Sequence, residues 1–409
     1  MSWALVNKNS RLKILVMGYL VRGPLGGMAW HHMQYVLGLH NMGHEVYYVE
    51  DSGDDKYCCY NPETGSNNED FSYGMRFAES FFDQLGLGNR WAYFDQHTGG
   101  WYGALADKAP DLFRSCDLLL NLSCSNPIRL WASEIPARIL VDTDPVFTQI
   151  RNLTDQKRKS LTEQHNVFFS FGENISQGIS IVPDDGIKWR PTRQPVVADV
   201  WPYSRGKTNG KFTTVMQWES YKSREYKSRR YGQKSDSFLE FLQLPELTNN
   251  QLQIAMGGGS APRQELRKHG WQISNPSETV FDPWKYRKFI QRSKGEFSVC
   301  KHGYVVSNSG WFSERSAAYL MSGRPVVVQE TGFSKWMETG EGVFSFNDVH
   351  DVLKAFDIIN TNYPLQCKRA REVAQEYFSA SKVLEELIES AMSQIKITSK
   401  IIEKDGSAF

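Results

Sequence analysis

Arg315, Lys234 and Arg263 are cations set beside glycines, serines and turns, the company in which a positive side chain can hold an anion. The densest group lies in residues 309–333, SGWFSERSAAYLMSGRPVVVQETGF. Ser313 has the side chain of a helix N-cap, and Ser316 follows three residues on. A helix starting there presents free N–H groups, two hydroxyls and the guanidinium of Arg315, an anion site of a size for a diphosphate. The stretch equally suits an ordinary helix–strand pair. Gly323 stops the helix, Pro325 cannot continue it, and Val326, Val327 and Val328 read as a strand covered on both faces. Lys234, in YGQKSDSF, and Arg263, after the turn Gly257-Gly258-Gly259, could each face a phosphate or simply be solvated.

Proton transfer needs a different set. Asp142 and Asp144, in ILVDTDP, follow a predicted buried strand, and strand C-termini are where open α/β sheets place their sites. D-x-D spacing can hold a metal, but no other ligand cluster accompanies it, which favours orienting a hydroxyl or taking its proton. Plain turn chemistry before Pro145 is the alternative. His31 and His32 begin a helix beside Gly26 and Gly27, so His31 could touch a ligand, act as a base, or be satisfied within the packing. Residues 220–235, SYKSREYKSRRYGQKS, carry Lys222, Arg224, Lys227, Arg229, Arg230 and Lys234 against Glu225, interleaved with Tyr221, Tyr226 and Tyr231. This segment suits phosphates, an anionic partner or nucleic acid, or else a solvated loop.

The elements that must position these residues read as alternating strands and helices. Residues 12–17 read as a strand, 28–41 as a helix stopped by Gly43, and 45–49 as a strand; 51–70 reads as a poorly ordered surface loop. A helix over 71–85 and strands at 117–122, 137–141 and 167–171 follow, an order that argues a parallel sheet. Pro- and Trp-containing loop between 183 and 211 marks a boundary, after which a second α/β run begins. Its strands read at 212–217, 252–256, 296–299, 326–328 and 343–346, with helices at 235–242, 261–268, 283–292, 349–359 and 365–378. A last amphipathic helix covers 379–395, and the residues from 398 read as frayed. The expected division is therefore 1–200, 206–378 and a crossover helix with tail at 379–409.

Composition excludes several classes. With 47 Lys and Arg against 46 Asp and Glu, no overall field selects nucleic acid or a membrane surface. No apolar stretch is long enough for a transmembrane helix. The six cysteines show no C-x-x-C pairing, and scattered thiols point to a reducing cytoplasm. The first glycine loop lacks G-x-G-x-x-G spacing, which disfavours a nicotinamide or flavin cofactor.

Three stretches in this order resemble the GT-B fold of nucleotide-sugar glycosyltransferases, and the likeness spans most of the chain. They are GGMAWHHMQYVLGLHNMGHEV, with Gly26, Gly27, His31, Gly43 and His44 in matching places; GGGSAPRQEL; and SGRPVVVQETGF. The resemblance implies two Rossmann-like α/β domains facing a cleft, with the C-terminal helix packing across the seam. It implies a donor, a nucleotide-diphosphate sugar, on the C-terminal domain and an acceptor on the N-terminal one, with no cofactor and no metal. Donor contacts are then expected from Gly26, Gly27, Lys234, Arg263, Ser313, Glu314, Arg315, Ser316, Thr331 and Gly332, and catalysis from Asp144, Asp142 and His31. The retaining members' E-x7-E pair is missing: its two places hold Gly310 and Ala318, with Glu314 between them as a candidate for ribose hydroxyls. Rival readings are a transferase acting on hydroxymethylated DNA bases, a non-catalytic sugar-nucleotide-binding protein, and a sugar-nucleotide epimerase.

Overall fold

The computed structural model describes residues 11–406, with side chains to residue 395. The first ten residues of the expected N-terminal domain and residues 407–409 of the expected tail lie outside the described residues.

Ile14, Leu15, Val16 and Met17 have no exposed surface, as a strand with helices on both faces requires. Their strand, Lys13–Met17, sits inside an eight-stranded sheet. Leu118–Leu122, Ala137–Asp142, Val167–Ser170 and Arg190–Pro191 lie to one side of it, and Glu45–Asp51, Trp91–Asp95 and Gly100–Tyr102 to the other. The pairings are parallel except at the Gly100–Tyr102 edge. A second, six-stranded parallel sheet has the order Gln272–Ser274, Leu252–Gly257, Phe212–Gln217, Gly295–Ser298, Val326–Gln329, Val343–Phe346. In each sheet the first strand in sequence lies between strands reached in opposite directions. The loops leaving its C-terminal end therefore part and open a crevice.

The helix Glu314–Met321 shows why the sequence punctuates where it does. Ser313 Oγ accepts the Arg315 N–H at 3.2 Å, capping the start. At the other end Gly323 takes φ +71°, its N–H bonds Leu320 O, and Arg324 N–H bonds Tyr319 O, both at 2.9 Å. That is a Schellman closure, which needs a residue without Cβ strain at Gly323.

The last helix, Ala380–Gly406, returns to the first half. It packs on the helix Gly26–Asn41, where a Cβ on Gly38 would come within 2.4 Å of Leu384. Val196 and the Phe378–Ala380 segment exchange backbone hydrogen bonds, and Arg190 Nε donates to Gln394 at 2.8 Å.

Several local readings differ from expectation. Residues 51–70 contain an antiparallel hairpin, Cys59–Asn61 with Ser66–Asn68, anchored by Tyr60 N–H on Arg22 O. The basic segment also contains a hairpin, Arg224–Tyr226 with Arg229–Tyr231. Its two-residue turn puts Lys227 and Ser228 at positive φ, the geometry that matches strand twist. The helix after the first C-terminal strand is Lys234–Phe238 followed by a 3-10 turn, Leu239–Phe241. The final helix runs on to Gly406 rather than fraying at 398.

Candidate active site

The C-terminal crevice is lined by the ends of Phe212–Gln217 and Gly295–Ser298 and by the start of Glu314–Met321. Arg315 bolts these together. Its Nε donates to Glu296 Oε1 and its Nη2 to Ser298 Oγ, each at 2.5 Å, and its Nη1 to Val215 O at 2.8 Å. Burial acts to lower its pKa, but Glu296, together with Tyr286 and Glu314, raises it on balance, so the charge is permanent and internally neutralised. Arg315 is thus a structural cation at the switch point, with its guanidinium already engaged.

Lys234 is the opposite case. It begins the helix after the first strand of the same sheet, and its ammonium has no hydrogen-bond or ion-pair partner among the described residues. Burial, reinforced by the Arg315 charge, pulls its pKa from the ordinary lysine value down to about 7. An unpaired, desolvated cation beside a buried arginine is unfavourable unless an anion arrives. Ser316 Oγ is likewise buried and without a partner. Arg263 follows the glycine turn, where Gly258 takes φ +92°, and its Nη2 donates to Met256 O at 3.1 Å.

Glu314 is the first residue of the capped helix and lines a small cavity between the halves with His31, Gln34, Gln194, Tyr286 and Ala318. Ala318 lies four residues on and so shares its helix face. The place of one missing glutamate therefore opens on the cavity that Glu314 already serves. The other place, Gly310, has φ +78°, and a Cβ there would press on Asn174 at 2.8 Å. No side chain fits at Gly310. The neighbouring carboxylates are engaged: Glu296 by Arg315, Glu173 by Arg193, and Glu50 by Arg22 and three backbone N–H groups. Glu314 makes no ion pair among the described residues, and its nearest donor is Ser313 Oγ at 3.5 Å.

Thr331 and Gly332 lie in the turn after Val326–Gln329, and both are used internally. Thr331 Oγ1 donates to Trp311 O at 2.5 Å, and Gly332 N–H donates to Glu330 at 2.6 Å. Asn174 Nδ2, from the other half, donates to Gly332 O at 3.0 Å. Gly26 and Gly27 are placed against the C-terminal half rather than around an open loop. Gly26 N–H donates to Val280 O at 2.9 Å, and Cβ atoms at the two positions would meet Asp282 O and the Tyr286 ring. Their lack of side chains lets two helices meet at the seam.

His31 is buried, with Nδ1 fixed on Gln194 Oε1 at 2.7 Å. Burial lowers its pKa, against the pull of Glu314, which keeps it neutral near pH 7. Asp142 accepts from Asp144 N, Thr148, Gln149 and Ser170, and burial raises its pKa against those bonds. It shapes the turn. Asp144 crosses the seam: Oδ1 accepts from Lys301 Nζ at 2.9 Å and Tyr304 at 2.5 Å, and Oδ2 from Tyr221 at 2.5 Å and Arg151 at 3.3 Å. Burial would raise its pKa, but Lys301 and Arg151, with the hydrogen bonds from Tyr221 and Tyr304, together hold it below the usual carboxylate range. Such surroundings suit a latch better than a proton acceptor. Neither aspartate has an oxygen free for a metal, and no group of three metal-ligating side chains occurs among the described residues.

Lys301, Tyr304, Asn174 and Gln194 have no local signature in the sequence, and Tyr221 stood out only as one of the tyrosines of the basic segment.

Two Rossmann-like sheets facing across a seam, with a terminal helix crossing back, make this a GT-B fold. No family model and no curated protein sequence matches the chain. Among solved structures, an α-glucosyltransferase in complex with UDP-glucose and DNA containing an abasic site superposes with a TM-score of 0.57. The match covers 93% of this chain and 100% of that one, at 11% identity. HepE of Anabaena, in complex with UDP and glucose, gives 0.53 over 93% and 99% at 8% identity. AviGT4, a glycosyltransferase involved in avilamycin A biosynthesis, gives 0.52 over 94% and 98% at 12% identity.

Proposed function

We propose that the protein is a glycosyltransferase that moves a sugar from a nucleoside-diphosphate donor to an acceptor hydroxyl. The observation that carries this is Lys234, a desolvated and unpartnered ammonium at the crevice of the C-terminal sheet. The fold neighbours solved with UDP or UDP-glucose support it. The donor sits on residues 206–378, its diphosphate on Lys234 and the capped start of Glu314–Met321. Glu314 and His31 meet the sugar from the two sides of the seam, and residues 1–200 carry the acceptor.

As the bond to the diphosphate breaks, negative charge grows on the leaving group, and Lys234 stabilises it. Metal is not required by this arrangement, because the D-x-D carboxylates are already occupied by donors and cations. No helix among the described residues is long and apolar enough to cross a membrane. A reducing cytoplasm suits the six unpaired thiols.

Action on DNA bases gains no support from the basic hairpin. Its tyrosines are not open for stacking: Tyr221 is bonded to Asp144, Tyr231 is buried and Tyr226 half-buried. The test is a panel of UDP-, GDP- and dTDP-sugars with release of nucleoside diphosphate as the readout. Slow donor hydrolysis without acceptor supports a transferase. Binding without any turnover means a sugar-nucleotide-binding protein, and an altered sugar on intact donor means an epimerase.

A further inference from the structure

The hairpin Arg224–Tyr226/Arg229–Tyr231 and the residues leading into it carry more positive charge than the whole protein. Residues 220–235 hold six Lys and Arg against one Glu, while the full chain has a formal charge of +1. Arg230 is accounted for: it faces Glu225 across the ladder and pairs with Asp236 at 3.1 Å. Lys222, Arg224, Lys227 and Arg229 are exposed and make no ion pair among the described residues. Lys227 lies over the Tyr226 ring, but four cations without an ion pair on so short an element repel one another.

The hairpin's position is specific. Strand Arg224–Tyr226 lies beside the N-terminal half's helix Phe147–Thr154, and Tyr221 OH bonds Asp144 across the seam. The cations therefore stand beside the seam between the two halves, next to the helix Phe147–Thr154. Three-residue strands with a two-residue turn extend about 10 Å, the length of two or three sugar units. The inward-turned tyrosines offer no stacking platform.

We infer that the acceptor is an anionic glycan, a chain bearing carboxylate groups, held beside the seam by Lys222, Arg224, Lys227 and Arg229. This rests on the transferase reading for the word acceptor, but the binding surface stands on the hairpin alone. Each contact is exposed and individually weak; four together give an affinity that falls steeply with salt.

The test is binding of polygalacturonate, neutral dextran and a 20-base-pair DNA duplex to the full chain and to Lys222→Gln/Arg224→Gln/Lys227→Asn/Arg229→Gln. UDP binding and the melting temperature are measured in parallel as controls for donor site and folding. The proposal expects polygalacturonate to bind at low salt, dextran not to bind, and the variant to bind roughly ten- to a hundredfold more weakly with UDP binding unchanged. Equal polygalacturonate binding by a folded variant overturns it, as does a duplex that binds far more tightly than the glycan. Should UDP fail to bind either protein while the glycan result holds, the transferase reading falls and the anionic-glycan surface remains.

Discussion

Lys301 Nζ lies 2.9 Å from Asp144 Oδ1, so a cation of the C-terminal half is bonded to a carboxylate of the N-terminal half. Tyr221 and Tyr304, also from the C-terminal half, donate to the same carboxylate. The relationship ties the two halves together at the seam through one carboxylate.

Asp144→Asn removes the charge but keeps the shape. Breaking a partly buried ion pair leaves Lys301 and Arg151 uncompensated, so a loss of about 3 kcal/mol in stability is expected. Small-angle scattering should show a more open molecule without donor. Because the folded-state pKa of Asp144 is depressed, its contribution is fully present above the ordinary carboxylate value near 4 and is lost as pH falls below it. The Asn variant should lack that acid-side loss. If it melts like the parent at every pH, the latch carries no weight.

Arg315→Ala and Lys234→Met should behave oppositely. Removing Arg315 strands the Glu296 carboxylate in the core, a cost of about 3–5 kcal/mol. Removing Lys234 deletes an unpaired desolvated charge, so stability should hold or rise while nucleotide affinity drops. Melting curves with and without UDP separate the two effects. A stable Arg315→Ala protein would contradict the structural role given to that guanidinium.

Lys234 also makes stability and binding depend on pH. Between about 7 and the ordinary lysine range the unfolded chain holds a proton on Lys234 that the folded chain does not. Ligand-free stability should therefore gain from this group as pH rises through that window. Diphosphate binding demands the ammonium, so affinity should weaken above pH 7 and binding near pH 8 should take up a proton. Calorimetry in two buffers of different ionisation enthalpy measures that proton. Zero uptake would mean that Lys234 does not meet the diphosphate.

Exhaustive EDTA treatment should leave turnover intact, because Asp142 and Asp144 spend their oxygens on protein donors. Activity abolished by EDTA and restored by Mg²⁺ or Mn²⁺ would require those donors to be displaced.

The periodic parts of the fold were legible: the buried strand at Lys13–Met17, the Ser313 cap and the Gly323 stop each follow from a few adjacent residues. The hairpin within 51–70 was not, because its three-residue strands CYN and SNN carry no alternating apolar pattern. The roles of the candidate site residues were not legible. Arg315 and Lys234 look alike as letters, and only the fold brings Glu296, on a neighbouring strand, to one and leaves the other bare. Gly26 reads as part of a cradle until its N–H is seen to meet Val280, more than two hundred residues away.

The most direct measurement is the affinity of UDP, GDP and dTDP for the parent and for Lys234→Met at pH 6.5, by titration calorimetry. The account predicts that at least one nucleotide binds the parent, and that the folded variant binds it about ten- to a hundredfold more weakly, the loss of one charge-assisted contact. Equal affinity of both proteins for the best nucleotide would contradict the placement of the diphosphate at Lys234.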